Sequence, residues 1–326
     1  MSSHPIPTQH ILITGAGGFI GQALATSLLA SNPTLHLTLA DVFVPPTPST
    51  LQTTTLKSDL TQPNSVSSLL NSQTWSTCYL LHGIMSGGAE ANLELGLAVN
   101  MDSHRLVLDH LRKHQPGIVV VFPSSLAVYG PPDPAHPVIS EHTIPLPQSS
   151  YGAQKLIIET LITDYSRRGL IDGRICRLPT VIVRPGAPSA AASSFASGIV
   201  REPLQGERAV LPVSKGLEMW VCSPSTVVRN LVAMKDVPKE QFGKGCGRTV
   251  NLPGQTVQVG DILAALEEVG GKEAVELVVE ERDEKVEGIV ASWPAKFDVG
   301  LAERLGMSRD ISLAEEVRNF ARRLKA

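Results

Sequence analysis

The sequence predicts an α/β protein, a doubly wound parallel sheet with a smaller α/β lobe attached. Three observations carry that prediction. Short apolar runs alternate with stretches of helical periodicity over the first 180 residues, the pattern of repeated strand and helix units. The first run breaks off at a cluster of glycines, Gly15, Gly17, Gly18 and Gly21. The run from Ile118 to Phe122 is apolar at every position, as a parallel strand buried on both faces must be.

Composition sets the outer limits. At 326 residues and 42% hydrophobic, the chain can bury an ample core without staples. A net charge of −3 offers no basic surface for phosphate backbones and counts against a nucleic-acid partner. Cys78, Cys176, Cys222 and Cys246 lack any metal-binding spacing and read as free thiols in a reducing compartment. The polar N-terminal segment lacks the apolar core of a signal peptide, and no apolar run reaches the length of a membrane span. A cytoplasmic protein without membrane contact is expected.

Taken in order, residues 10–14 read as a strand and the glycine cluster as a turn. Ala23, Leu24, Leu28 and Leu29 then mark the apolar face of a helix. Gly15, Gly18 and Gly21 fit a Gly-x-x-Gly-x-x-Gly spacing. Glycines there let the backbone approach a pyrophosphate, which then sits on the helix N-terminus. A second strand, marked by Leu35, Leu37 and Leu39, ends at Asp41, twenty residues beyond Gly21. A carboxylate at that point suits a ribose 2′-hydroxyl and repels a 2′-phosphate. Residues 42–56 hold no Lys or Arg to receive such a phosphate, and Pro45, Pro46 and Pro48 make the stretch a loop. NAD is therefore the expected cofactor.

Residues 53–57 can form a third strand, after which Asp59 and Leu60 could bracket an adenine edge. Pro63 opens a helix to Leu70. A fourth strand, residues 78–82, runs into the loop from Gly83 to Gly88, where backbone could meet the cofactor. His82, at the strand end, reads as satisfied by backbone rather than catalytic. Residues 89–115 read as one long helical stretch carrying Asn100. His110 and His114 share a face of it with no third ligand nearby, so no metal site is expected. The fifth strand, residues 117–122, opens into Ser124 and Ser125, where open α/β sheets place their ligands. The Pro-rich loop 131–147 is expected to lie over the site.

Tyr151 and Lys155, four residues apart on a helix, share one face. A tyrosine hydroxyl must fall from about 10 by roughly three units, about 4 kcal/mol, to be half ionised near neutrality. An ammonium about 4 Å away contributes about 4 kcal/mol at an effective dielectric near 20. Lys155 alone is expected to supply that tuning.

Thr14 with its three spaced glycines, Asp41, Asp59-Leu60, Asn100, Ser124-Ser125 with Tyr129-Gly130, and Tyr151 with Lys155 form an ordered pattern. It resembles the extended short-chain dehydrogenase/reductases, the NAD-dependent epimerase/dehydratase family, over the first 180 residues. The resemblance implies a Rossmann-type fold in which Tyr151 is the general base and Ser125 holds the reacting hydroxyl. Lys155 would bind the nicotinamide ribose and lower the Tyr151 pKa. It implies NAD contacts from Gly15, Gly17, Gly18, Phe19, Ile20, Gly21, Asp41, Asp59, Leu60, Gly83, Asn100, Tyr151, Lys155 and Pro179. The implied substrate contacts are Ser86, Ser125, Thr180, Arg184, Ser194 and Arg201. A homodimer built on a four-helix contact of residues 89–115 and 151–167 is also implied.

A narrower resemblance rests on residues 177–180, 184–186, 191–198, 201–203 and 292–294 with Phe297-Asp298. These are similar to the D-erythronate dehydrogenase group of that family, which implies oxidation of the C2 hydroxyl of a four-carbon sugar acid with NAD. A carboxylate substrate wants a bidentate arginine, and both Arg184 and Arg201 are candidates. Two alternatives stay open. One is a sugar-nucleotide epimerase or dehydratase using the same Ser, Tyr and Lys; Thr180, where such epimerases commonly carry asparagine, weighs against it. The other is a non-catalytic NAD-sensing module, which need not keep Ser125, Tyr151 and Lys155 together.

Residues 1–180 are thus expected to form the NAD-binding domain, with 217–255 returning to it through Met219 to Cys222, a helix over 224–234 and a strand over 249–252. Residues 181–216 and 256–326 are expected to form the substrate-binding lobe. There, 187–198 are rich in small and hydroxyl side chains that can line a polar pocket. Residues 260–269 read as helix, 274–279 as strand, 280–287 as charged surface, and 297–306 and 313–324 as helix. Trp220 reads as core.

Overall fold

The structure is a computed structural model that describes residues 9–32, 34–48, 51–242 and 247–325. Cys246, expected as a free thiol, lies outside them. The chain opens with β1 (His10–Thr14), α1 (Phe19–Ser31), β2 (His36–Asp41), β3 (Thr53–Lys57), α2 (Pro63–Leu70) and β4 (Thr77–Leu80). It continues through α3 (Ser86–Ala91), α4 (Leu93–Gly96), α5 (Ser103–His114), β5 (Val119–Ser125), α6 (Ser150–Arg167) and β6 (Asp172–Leu178). The second half holds β7 (Thr180–Val181), α7 (Ser194–Arg201), β8 (Ala209–Leu211), β9 (Glu218–Cys222), α8 (Pro224–Met234), β10 (Thr249–Asn251) and β11 (Gln255–Gln258). It ends with α9 (Val259–Glu276), β12 (Val278–Glu280), α10 (Glu284–Ala291), α11 (Gly300–Arg304) and α12 (Leu313–Leu324).

Among the described residues, the main sheet is parallel and seven-stranded, in the order β10-β6-β5-β4-β1-β2-β3. Its apolar strands follow from burial on two faces. In β1, Ile11 and Ile13 join a core with Leu24 and Leu28 of α1 and Val227 and Leu231 of α8. Leu12 points the other way, to Val66 of α2, Val107 and Leu111 of α5 and Ile158 of α6. The chain winds outward from β1 to β3, then returns to β4 on the far side of β1. That reversal opens a crevice at the carboxyl ends of β1 and β4, where open α/β sheets bind ligands.

A second body has a core of its own, including Ile199, Leu211, Val259, Ile262 and Phe320. It contains the three-stranded sheet β11-β9-β7 and the parallel pair β12-β8.

Several elements differ from the sequence reading. The expected helix over 89–115 is broken twice. Asn92 leaves the helical region (φ −140°, ψ 93°) and caps α4, its Oδ1 accepting from Leu95 N at 3.0 Å. A π-helical turn, Leu97–Asp102, then precedes α5. Strand β5 runs on through Ser125, so the serine pair stands on the sheet rather than beyond it. Residues 274–276 belong to α9, which is kinked at Gly271 (φ +75°), and the strand begins only at Val278. Helix over 297–306 shrinks to α11. Met219 to Cys222, expected in the nucleotide-binding domain, pair as β9 with β7 and β11, whereas β10 does join the main sheet through β6. No helix among the described residues is long and apolar enough to cross a membrane.

Candidate active site

The site grows from the turn after β1. Gly15 takes φ +65°, and a Cβ there would come within 2.5 Å of the His82 backbone, so only glycine meets both demands. Helix α1 starts behind that turn with no side-chain cap and no acidic residue in its first turn. Its unpaired N–H groups and positive dipole end are left for an anion. At the end of β2, Asp41 is fixed by two backbone donors, Gly17 N to Oδ2 at 2.8 Å and Val42 N to Oδ1 at 2.7 Å.

These groups border a cavity of about 580 Å³. Its wall includes Gly15, Gly17, Gly18, Phe19, Ile20 and Gly21, then Asp41, Asp59, Leu60 and Gly83, and beyond them Arg184 and Arg201. The residues fit a dinucleotide: a glycine cradle that side chains would fill, uncapped helix donors for a pyrophosphate, and a held carboxylate for a ribose.

A second cavity, of about 170 Å³, adjoins the first along Phe19, Ile20, Leu81, Met85 and Arg184. Ser125, Tyr151 and Lys155 all line it. Helix α6 aims two of them. Ser149 caps it by accepting from Gly152 N at 3.2 Å. A Cβ on Gly152 would lie 2.1 Å from Ala127 O, so the helix backbone sits directly on the turn that follows Ser125. That close approach fixes Tyr151 relative to Ser125. Lys155 donates from Nζ to Pro123 O at 3.0 Å and lies 4.5 Å from the Phe122 ring centre.

The electrostatics differ from the expectation that Lys155 alone tunes Tyr151. Burial pushes the Tyr151 hydroxyl up to about 12, and the opposing cation is Arg184. Burial brings Lys155 down to about 8, against the charge of Glu159 one turn along. The ammonium is turned toward Pro123 O and stands 5.7 Å from the Tyr151 ring centre, so desolvation outweighs its pull.

The remaining candidates divide. Pro179 and Thr180 line the smaller cavity. Ser86 lines it too, its Oγ accepting from Ala192 N at 3.1 Å. Arg184 is half-buried and reaches both cavities. Its Nε donates to Val181 O at 2.9 Å and its Nη2 to Ser193 Oγ at 3.2 Å, and no ion pair among the described residues includes it. Arg201 is buried and already paired, Nη2 to Glu202 Oε1 at 2.5 Å, with Nη1 donating to Arg184 O at 3.1 Å.

Two candidates stand off the walls. Ser194 turns away and accepts from Ser189 N at 3.0 Å, while neighbouring Ser193 lines the cavity. Asn100 is fully buried and spends its amide on Ile84 and Gln154, bracing the loop after β4 rather than lining either cavity. The loop 131–147 lies on neither cavity wall. It is held aside, where Ile139 bridges Phe297 and Ser140 O accepts from Tyr129. His82 is held by side chains rather than backbone, Thr14 Oγ1 at 2.7 Å and Ser103 Oγ at 3.0 Å, and it lines the larger cavity.

Sequence reasoning missed Phe43 at the walls and held Met85, Ser193 and Trp293 only within longer stretches, 83–88, 187–198 and 292–294. For Phe43 a signal existed, an apolar residue two places after Asp41. Trp293 comes from the second body, 142 residues after Tyr151, and nothing local in the sequence points it at the site.

A glycine turn at a topological switch point, with a Ser, Tyr and Lys cavity beside it, is the frame of a dinucleotide-dependent oxidoreductase. The chain belongs to the NAD dependent epimerase/dehydratase family, a match that spans residues 11–239. It is 42% identical over 323 residues to D-erythronate dehydrogenase of Cupriavidus necator, covering 95% of this chain and 97% of that one. It is 40% identical over 314 residues to D-erythronate dehydrogenase of Haemophilus influenzae, covering 95% and 98%. A solved nucleoside-diphosphate-sugar epimerase from Agrobacterium tumefaciens superposes with a TM-score of 0.87 at 35% identity, over 97% of this chain and 96% of that one.

Proposed function

We propose that the protein oxidises the C2 hydroxyl of a small polyhydroxy acid, D-erythronate first among them, to the 2-oxo acid. Bound NAD would supply the hydride acceptor. Tyr151 takes the hydroxyl proton as general base, Ser125 Oγ holds the hydroxyl, and Lys155 supplies positive charge behind them. Gly15 to Gly21 and Asp41 would hold the pyrophosphate and ribose.

One observation carries this reading: Arg184 is a cation at the junction of the two cavities with no carboxylate partner among the described residues, within electrostatic reach of Tyr151. A substrate carboxylate completes it. Arg201 is satisfied by Glu202 and holds the Arg184 backbone, so it serves as support. The epimerase relative favours a second reading, a sugar nucleotide as substrate. Size weighs against it. A cavity of about 150 Å³ accommodates benzene, so 170 Å³ suits an acid of a few carbons and not a nucleoside-diphosphate sugar.

We also infer a homodimer through α4 and α6. The free, buried Cys78, Cys176 and Cys222 support a reducing, cytoplasmic setting.

The test is NADH formation with three- to six-carbon sugar acids beside UDP-glucose. Turnover of a four-carbon acid is expected, and its loss in Tyr151→Phe with NADH binding kept. Silence on every acid, or undiminished turnover in Tyr151→Phe, overturns the reading.

A further inference from the structure

The smaller cavity is the middle of three voids in a row. At one end it meets the dinucleotide cavity, and Arg184 stands in the wall common to both. At the other end lies a void of only about 10 Å³, backed by Glu218, Met219 and Trp220 of β9. The middle cavity and this small void share three residues, Leu126, Thr180 and Trp293. The dinucleotide cavity shares none with the small void. Ser125 and Tyr151 line the middle cavity alone.

This order gives the substrate a direction. With its carboxylate at Arg184 and its C2 hydroxyl at Ser125 and Tyr151, the rest of its carbon chain must run toward Leu126, Thr180 and Trp293. Leu126 and Thr180 are buried and belong to the turn after β5 and to β7. Trp293 is half-buried and is brought by the second body, where its backbone N–H donates to Val290 O at 3.1 Å at the end of α10. Its indole is the one large side chain of the three.

We propose that Trp293 is the end wall that sets substrate length, closing the cavity just beyond a four-carbon chain. The inference rests on the sugar-acid reading and deepens it. Removing the indole joins the middle cavity to the void in front of Trp220 and lets longer acids keep the same carboxylate and C2 positions.

The test is the ratio of kcat/KM for five- and six-carbon acids to that for a four-carbon acid, in the wild type, Trp293→Ala and Trp293→Phe. A methylene more or less in a pocket discriminates about 10- to 200-fold. The ratio is expected to rise at least tenfold in Trp293→Ala, through a lower KM for the longer acids, with a smaller rise in Trp293→Phe. Calorimetric binding of the same acids to the NADH-loaded proteins should follow the same order. A wild type that oxidises four-carbon acids, with both variants folded, binding NADH and showing an unchanged ratio, overturns the inference alone. A wild type silent on every acid overturns the function beneath it and the inference with it.

Discussion

Tyr151, Lys155 and Arg184 line one cavity, and burial is the largest cause of the pKa shift of each. On the roles proposed for them, the working form needs Tyr151 ionised and Lys155 protonated. With Tyr151 near 12 and Lys155 near 8, the ionised tyrosine grows tenfold per pH unit below 8. Above 8 that gain is cancelled by loss of the lysine proton. The profile of kcat/KM should therefore rise with unit slope from about pH 6 to about 8 and then level. A fall across that interval rejects these roles. Arg184 is tested by charge removal. A hydrogen bond to a charged group is worth about 1.5–3 kcal/mol, so Arg184→Gln should raise KM for the acid by about 10- to 100-fold. An unchanged KM assigns the carboxylate elsewhere. The pair Tyr151 and Lys155 was legible in the sequence because helical spacing alone puts both on one face. The choice between Arg184 and Arg201 was not, since it depends on Glu202 being next to one guanidinium and absent from the other.

Helix α6 is the element through which the site is tuned. One turn past Lys155, the buried Glu159 pairs with buried Arg177, Oε2 to Nη2 at 2.5 Å. Arg177 also meets the Tyr129 hydroxyl at 2.5 Å, and that hydroxyl lies 3.0 Å from Asn251 Oδ1. The network ties α6 to β6, to the turn after β5 and to β10. Glu159 also raises the Lys155 pKa. Glu159→Gln should therefore make Lys155 lose its proton at lower pH, moving the bend in the activity profile below about 8. Breaking a buried pair by removing one partner costs about 3–5 kcal/mol, which denaturant unfolding would measure. A bend that stays in place, with stability lost, limits Glu159 to a structural role. The strands were readable at this scale from apolar runs, as in β1 and β5, and from alternation, as in β2. The break within 89–115 was not, because helical periodicity persists through Asn92 while its backbone leaves the helical region and its side chain caps α4. The loop 131–147 was misplaced for a similar reason: its prolines mark a loop without saying which face it covers.

At the scale of the molecule, the main sheet was legible and the path of the second body was not. Strand β9 pairs with β7 and β11, which lie far from it in sequence and offer no local sign of pairing. The same scale decides the subunit count. On α4, Leu93 and Leu95 are 53% and 46% exposed, and on α6 Ile157 is 49% exposed. Neither the dinucleotide cavity nor the smaller one uses these side chains. Large apolar residues exposed on neighbouring helices are costly to leave in water and mark a contact surface. In the proposed homodimer, a two-fold pairing of α4 and α6 with their copies would bury them in a self-complementary face. Light scattering is expected to give twice 34.8 kDa. Leu95→Glu with Ile157→Glu should give the single-chain mass, because the paired copies would then face like charges across an apolar contact. NADH binding should survive in that variant, since both substitutions lie off the cavity walls. A wild type at the single-chain mass, or a variant that keeps the doubled mass, removes α4 and α6 as the subunit contact.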